Sequence, residues 1–542
     1  MKIKIPTSNT DTFLFYFTIT IAIIFLLIIK IRFLHIPLER DEGEYAYIAQ
    51  LILNGHSPWE VFSYKIPGVA FIYSLFMFCF GQNIFAIKLS LLIFNLGACF
   101  FLFLIIKKTF GNFHAAVTIL FFSVFITSAS MLCFAAHATH YVLFFITGAL
   151  WFYIIAAEKI ENKYFMLSGL FFGSAILMKQ HAIFFIPVIF FIPSLLTHKF
   201  YPAYIFKYFS QHLSFASGIL FPLIMTGVFA WLKNDFLNFY KWTFVYSLDY
   251  ASFIGLNWGW INLKTSFLHM FVEFNILWIL ALSGLSYLFL NRKFSLHQKL
   301  FLLAFLLLSF ISVTPGYYFR RHYFILLLPA VSIFIAMSID FTDLLFKERI
   351  SSTLLNNYKY LFFILVFGFI LVQNGDYLFI DNTNQICRKI YQGNPFVESI
   401  PIAEYIKNNT SKTDKIAILG SEPQILFYAD RNSATSFIYA YHLVSGSKYD
   451  IQFQRQAIKE IEGEKPKYFI LVNSSTSWLV QSTAHQAILA TFDWINDYLS
   501  QNYTLTGLVD YFKDNSVIKF DQEIGNYTPM SSVHILIFKR ND

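Results

Sequence analysis

Long stretches of this chain run without an Asp, Glu, Lys or Arg, among them Thr12–Ile29, Leu89–Ile106, Thr109–Ala157, Tyr208–Leu232, Phe274–Asn291, Leu300–Phe319, His322–Ile339 and Tyr360–Gly375. One membrane crossing takes about 20 apolar residues, so the run from Thr109 holds two. The chain is 57% hydrophobic and 20% aromatic over 542 residues. A soluble core of that length does not need so much apolar surface. The pattern predicts a polytopic α-helical membrane protein.

A net charge of +8 could signal nucleic acid, but the distribution argues otherwise. The cations cluster at alternate ends of the apolar runs, at Lys2/Lys4, Lys107/Lys108, Lys159/Lys163, Lys199/Lys207, Arg292/Lys293/Lys299 and Lys347/Arg349/Lys359. That is the positive-inside pattern, and it marks these loops as cytoplasmic. Cys79, Cys99 and Cys133 lie in apolar runs and behave as small hydrophobes. Cys387 stands alone in the polar tail, which therefore has no internal disulfide. Thr12–Phe33 lacks a small-residue cleavage site at its end and reads as a retained anchor and first span.

With Met1 inside, the acidic segment after Phe33 falls outside. Ile66–Phe80 is short for a crossing, and counting it as one would place Lys107/Lys108 outside, so it reads as a juxtamembrane or re-entrant helix. The spans then follow as Thr12–Phe33, Ile84–Ile106, 115–134, 141–157, 164–178, 182–197, 211–231, 270–290, 299–313, 323–343 and 359–376, about eleven in all. An odd number sends the C-terminus outside. Residues 1–376 form the membrane domain and 377–542 an extracytoplasmic domain. In the latter, Lys415–Gly420, Lys467–Val472 and Val533–Phe538 read as buried strands. Ile400–Asn408, Gln452–Ile461 and Ala484–Gln501 read as helices between them, which predicts a small α/β fold.

The chemistry concentrates just after the first span. Glu39, Asp41, Glu42 and Glu44 put four carboxylates into six positions at a membrane edge, where acids are expensive and by default functional. Glu42–Leu53 has helical periodicity and stops at Asn54-Gly55. Asp41 could be its N-cap with Glu44 as the N3 partner, or Asp41, Glu42 or Glu44 could be a general base. Glu39 reads as a solvated neighbour. Twenty-four residues beyond Asp41, Lys65 precedes Pro67-Gly68, a cation beside a backbone bend that fits a phosphate seat or a snorkelling side chain. Arg320, Arg321 and His322 lie on the predicted outer face, where cations are few; arginine forks bind phosphate, and a lipid headgroup anchor is the alternative. His137 and His140 have the spacing of a metal pair without a third ligand and read as structural. Lys179, His181, Tyr45 and Tyr64 are candidate substrate contacts, and the aromatic loop 231–260 reads as an interfacial belt.

These segments resemble the GT-C superfamily of polyprenyl-phosphate-sugar glycosyltransferases, in particular bacterial relatives of protein O-mannosyltransferases and lipid A aminoarabinose transferase. The residues that carry the likeness are Arg40-Asp41-Glu42-Gly43-Glu44-Tyr45-Ala46, Tyr64-Lys65-Ile66-Pro67-Gly68, Lys179-Gln180-His181, and Arg321-His322-Tyr323 leading into Leu328-Pro329. Gly420–Arg431 in the tail also looks like a segment of these relatives. The resemblance implies a GT-C fold and a metal-independent, inverting transfer on the outer face of a bacterial cytoplasmic membrane, without a cofactor. It implies a polyprenyl-phosphate-linked sugar as donor and a lipid, glycan or protein as acceptor. Asp41 would be the base, Lys65 would bind the donor phosphate, and Arg321 and His322 would help there. The Asp-Glu-Thr-Arg-Tyr pattern of aminoarabinose transferases is Asp41-Glu42-Gly43-Glu44-Tyr45 here, and a residue is inserted between Lys65 and Pro67, so neither that sugar nor lipid A is implied. A transporter or flippase of a lipid-linked solute would place charges near the midplane and show repeats, and the sequence has neither. A non-catalytic scaffold would depend on 380–542 and not on Asp41.

Overall fold

The computed structural model describes residues 9–193, 208–290, 294–346, 352–479 and 485–541. The basic pairs Lys2/Lys4, Lys199/Lys207, Arg292/Lys293 and Lys347/Arg349 lie outside the described residues. In chain order the principal elements are α1 (Asn9–Arg32), α2 (Arg40–Leu53), α3 (Gly68–Phe80), α4 (Ile84–Phe110), α5 (Asn112–Phe125), α6 (Ala138–Lys159), α7 (Asn162–Met178), α8 (Phe209–Leu232), α9 (Leu256–Leu290), α10 (Leu296–Ile311), α11 (Leu328–Phe346) and α12 (Ser352–Gln373). The C-terminal part continues with α13 (Ser399–Asn408), β1 (Ile416–Leu419), α14 (Pro423–Ala429), α15 (Asp450–Glu464), β2 (Tyr468–Asn473), α16 (His485–Asn502), β3 (Tyr503–Tyr511), β4 (Ser516–Phe520) and β5 (His534–Arg540).

The chain forms two compact units, and neither is continuous in sequence. The first comprises Met1–Leu34, Lys88–Leu232 and Ser247–Ile380; the second comprises His35–Ile87, Lys233–Tyr246 and Asp381–Asp542. The last junction lies between Ile380 and Asp381. The C-terminal unit also includes the acidic segment, Lys65 and part of the aromatic loop.

The first unit is an integral membrane bundle. Among the described residues, six helical segments are long and apolar enough to cross: Thr12–Arg32, Ile84–Phe110, Ala138–Lys159, Phe209–Leu232, Leu256–Leu290 and Arg321–Phe341. The other expected spans are shorter helices here. The 115–134 span ends at Phe125, and 164–178 is the 17-residue α7. The 182–197 span corresponds to a 3-10 run, Gln180–Phe191, carrying Pro187, and 299–313 is the 16-residue α10. The 359–376 span is the apolar segment Tyr358–Gln373. Where α7 meets α8 the backbones touch: a Cβ on Gly169 would lie 2.0 Å from the Phe215 carbonyl, so only glycine permits this approach.

Between α5 and α6 the apolar run is not helical, and its backbone finds partners in ionic side chains. Glu273 accepts from the backbone N–H of Ala129 at 2.8 Å and of Ser130 at 3.1 Å, from the hydroxyls of Ser128 and Ser130, and from Tyr377 Oη at 2.9 Å. Lys30 Nζ donates to the Cys133 carbonyl at 2.7 Å and Lys88 Nζ to the Phe134 carbonyl at 3.0 Å. A non-helical segment among apolar helices persists only if its polar groups are met this way. Beside Glu273, Phe274 leaves helical geometry and kinks α9.

The second unit is built on a five-stranded sheet of order β1-β2-β5-β3-β4. β1 and β2 are parallel, and the remaining pairings are antiparallel. The three expected strands and the three expected helices are present; β3 and β4 are additional. The described part of the predicted Ala484–Gln501 helix begins at His485. The 13-residue α3 spans about 20 Å, against about 30 Å of hydrocarbon, so it does not have the length to cross. It buries Val69, Ala70, Tyr73 and Met77, and leaves Leu75 and Phe78 exposed on its other face.

Replacing Glu273 with Ala strands at least two backbone donors. We expect a loss of about 3 kcal/mol or more, seen as a lower thermal midpoint of the detergent-purified protein, with Glu273→Gln intermediate. A midpoint unchanged in Glu273→Ala would refute this account of the loop.

Candidate active site

Helix α2 starts two residues earlier than its periodicity suggests. Glu39 is the N-cap, and its carboxylate accepts from Glu42 N at 2.9 Å, while Glu42 Oε2 accepts from Glu39 N at 3.1 Å. This reciprocal box is the one expected for Asp41 and Glu44, moved back by two positions. Glu39 is buried, not solvated, and its carboxyl is pushed up to about 8 by burial and by the neighbouring Asp41 and Glu42. The cap occupies Glu42, which is fully buried. At the other end the helix stops at Asn54 and the left-handed Gly55, as expected.

Moving the box back places Asp41 and Glu44 on one face with Tyr45 and Ile48, at helical spacing. Lys65 meets that face. Its ammonium lies 2.7 Å from Asp41 Oδ1 and 2.5 Å from Glu44 Oε2, and Ser63 Oγ donates to Glu44 Oε1 at 2.6 Å. The ammonium also sits over the Tyr45 ring at 4.7 Å and the Tyr439 ring at 5.5 Å. Burial alone would lower the Lys65 pKa, but Asp41 and Glu44 outweigh it and hold it well above its ordinary value. Tyr439 Oη donates toward the Arg40 carbonyl at 2.9 Å and Asp41 Oδ1 at 3.3 Å. Burial followed by the nearby carboxylate Glu44 pushes the Tyr439 hydroxyl up, so it stays a neutral donor. The three ionic groups carry one negative charge in excess. They differ in access: the Asp41 side chain is 28% exposed, Lys65 15% and Glu44 1%.

The opposite face of α2 is fixed by α14. A Cβ on Gly43 would come within 2.6 Å of Gln424 N, so the glycine is where the two backbones meet. Arg40 bonds Glu422 Oε1 at 2.9 Å and the Ser421 carbonyl, and Ser477 Oγ donates to Glu422 Oε2 at 2.7 Å. Tyr47 Oη accepts from Ser433 N at 2.8 Å. The tail segment Gly420–Arg431 therefore acts as the bed of the acidic helix. Tyr64, beside Lys65, packs its ring against His442 at 5.4 Å and Tyr246 at 6.2 Å, and the His442 imidazole is held neutral by burial and by the Lys65 charge.

The remaining expected residues gather in the membrane unit. Lys179 Nζ sits 3.6 Å over the Tyr323 ring, which also meets the rings of His181 and His322 at 5.1 and 4.9 Å. His322 stacks on His137 at 4.0 Å. His181 Nδ1 bonds the Ser312 carbonyl at 2.8 Å, and His140 Nδ1 bonds Asn95 Oδ1 at 2.9 Å. Arg320 is exposed and its guanidinium lies 5.6 Å from the Tyr318 ring, while Arg321 is half-buried. The segment that presents them is contorted: Gly316, Tyr317 and Phe319 all take positive φ, at 72°, 54° and 43°. Left-handed non-glycine residues cost energy and cluster at working sites. Sequence reasoning missed Ser63, Gly43, Tyr439 and the Arg40–Glu422 pair. Only Gly43, a glycine inside a helix, carried a signal.

Residues 64–231 match the family model for dolichyl-phosphate-mannose-protein mannosyltransferases. No curated protein sequence matches the chain. Solved structures that share its fold include the following three. ArnT from Cupriavidus metallidurans bound to undecaprenyl phosphate aligns at 13% identity over 95% of this chain and 98% of that one, with a TM-score of 0.55. In the apo state it aligns at 13% over 94% and 97%, with 0.50. The archaeal oligosaccharyltransferase AglB from Archaeoglobus fulgidus, in complex with an inhibitory peptide and a dolichol-phosphate, aligns at 13% over 95% and 75%, with 0.51. The GT-C resemblance read from the motifs thus has independent support in both sequence and fold.

Lys65→Met would leave Asp41 and Glu44 with a shared uncompensated charge, and we expect a destabilisation of about 3–5 kcal/mol. Adding Glu44→Gln should restore much of it; a double variant as unstable as the single one would contradict the ionic account. Glu39 gives a pH signature. Because its folded value of about 8 exceeds the ordinary 4.5, the folded state binds the extra proton and stability falls as pH rises through that window. Glu39→Gln should flatten the slope of thermal midpoint against pH between those values.

Proposed function

We propose that this protein is an inverting glycosyltransferase that moves a sugar from a polyprenyl-phosphate donor to a hydroxyl-bearing lipid, glycan or protein acceptor. The reaction takes place at the outer face of a bacterial cytoplasmic membrane, with the N-terminus cytoplasmic and the C-terminal region outside. The mannosyltransferase-family match over 64–231 and the shared fold with ArnT and AglB support this reading. The observation that carries it is the division of labour among the acids. Glu42 is spent on the cap and Glu44 is sealed beneath Lys65, which leaves Asp41 as the accessible carboxylate of the three.

In this reading Asp41 accepts the acceptor hydroxyl proton as the oxygen attacks the anomeric carbon. The bond from that carbon to the donor phosphate breaks, and its electron pair leaves with the phosphate. Cations aimed at the leaving group stabilise the growing charge. Arg320, Arg321 and His322, presented by the contorted 316–319 segment, are assigned that role, with Lys179 and Tyr323 beside them. Lys65 has a double role: it holds one oxygen of Asp41, and it reaches a phosphate only by loosening its carboxylate pairs. Glu44 and Ser63 position Lys65, and Tyr45 and Tyr64 flank the acceptor.

Asp41→Asn should fold and insert normally while transfer falls by about 10²–10⁴-fold, measured as loss of the glycoconjugate in envelopes of a complemented deletion strain. Full activity in this variant would remove Asp41 from the base role. Glu42→Gln should instead act mainly on stability.

A further inference from the structure

We propose that the C-terminal unit carries a second saccharide-binding cleft, remote from Asp41, that holds an uncharged sugar residue. A cleft of about 510 Å³ opens where the C-terminal end of α2, the turn between α3 and α4, α13 and α14 converge. That volume is within the usual range for small-ligand sites. Gln50 forms its floor. The residue is 4% exposed and its side-chain amide donates to Gln82 Oε1 at 3.0 Å and Asp430 Oδ1 at 3.3 Å, so two polar groups of the rim are already oriented. Tyr428 is fixed by its hydroxyl, which accepts from Leu38 N at 2.8 Å, and its ring contributes to the wall with that of Phe85.

The lining selects the ligand class. The amides and the hydroxyl of the lining can donate and accept, its carboxylate can accept, and the rings of Phe85, Phe427 and Tyr428 supply apolar surface for C–H faces. Lys407 is the one lysine of the lining and stands beside the Asp430 carboxylate, which also pairs with Lys412 at 3.4 Å, so the cleft lacks the converging cations of a phosphate or nucleotide seat. A polyol with apolar ring faces, a neutral sugar, satisfies such a lining. The cleft is not the reacting centre: nine residues along α2 separate Gln50 from Asp41, which is half a turn around the helix and about 13–14 Å along it. If the transferase reading holds, the cleft grips an acceptor glycan at a residue away from the attacking hydroxyl, and that assignment rests on the reading. Saccharide binding itself does not.

The sugar could belong to a free glycan or to a glycolipid headgroup, since the apolar Leu75 and Phe78 of α3 are exposed in the same unit. The test uses full-length protein in nanodiscs, titrated with maltotriose, mannotriose and chitotriose and followed by saturation-transfer NMR. A parallel arm uses vesicles doped with diglucosyl diacylglycerol. Binding should weaken at least tenfold in the Gln82→Ala/Lys407→Ala variant, whose substitutions are exposed, and persist in Asp41→Asn and in excess inorganic phosphate. Capture of the trisaccharides assigns a free glycan, and capture of the glycolipid alone assigns a headgroup; both support the cleft. No binding in either arm, binding insensitive to the double variant, or displacement by phosphate would overturn it. Binding by a protein that transfers no sugar would leave the cleft standing and remove the proposed function, whereas transfer without cleft binding would do the reverse.

Discussion

A carboxylate removed from water must find a partner, and that requirement organises both units. Glu273 closes a non-helical stretch of the membrane bundle by accepting from two of its backbone N–H groups. Glu422 anchors the acidic helix through Arg40, and Glu44 is held by Lys65 and Ser63. Replacing any one partner leaves a buried charge, which costs more than the pair itself contributes. Asp41 is the accessible acid of the α2 trio because its neighbours are committed.

The same reasoning changes the meaning of Lys65. A lone lysine before Pro67-Gly68 reads naturally as an anion seat. Between two carboxylates it is instead their counter-ion, so any anion that reached it would compete with Asp41 and Glu44. Fixing Asp41 in this way preorganises it, and low solvent access makes each such interaction stronger.

Much of this was legible in the residues. Apolar runs located the bundle, Asn54-Gly55 ended α2, and the three β-branched or aromatic runs of the tail became β1, β2 and β5. The N-cap was not legible, because Glu39 to Glu42 and Asp41 to Glu44 have the same spacing, and only the structure separates them. The non-helical segment after Phe125 is as apolar as a helix, so composition cannot distinguish them; the clue was Glu273 at the border of a charge-free run. β3 follows α16 with no turn residue between Asn502 and Tyr503, which hid it. The recruitment of His35–Ile87 into the C-terminal unit left no local trace, since long-range pairing has no sequence period.

That recruitment has a consequence for biogenesis. Arg40 and Glu422 are 382 residues apart in the chain, and Asp41 waits even longer for Tyr439. At typical elongation rates the interval is roughly 20–80 s. Throughout it, the acidic helix exists without the bed that α14 provides. Closing so long a loop is slow, and the sheet can condense only after β5, which lies between β2 and β3, has been made. The carboxylates of α2 therefore acquire their final geometry only after Glu422 and Tyr439 have been made, and a chain that stops before them carries the acids without these partners.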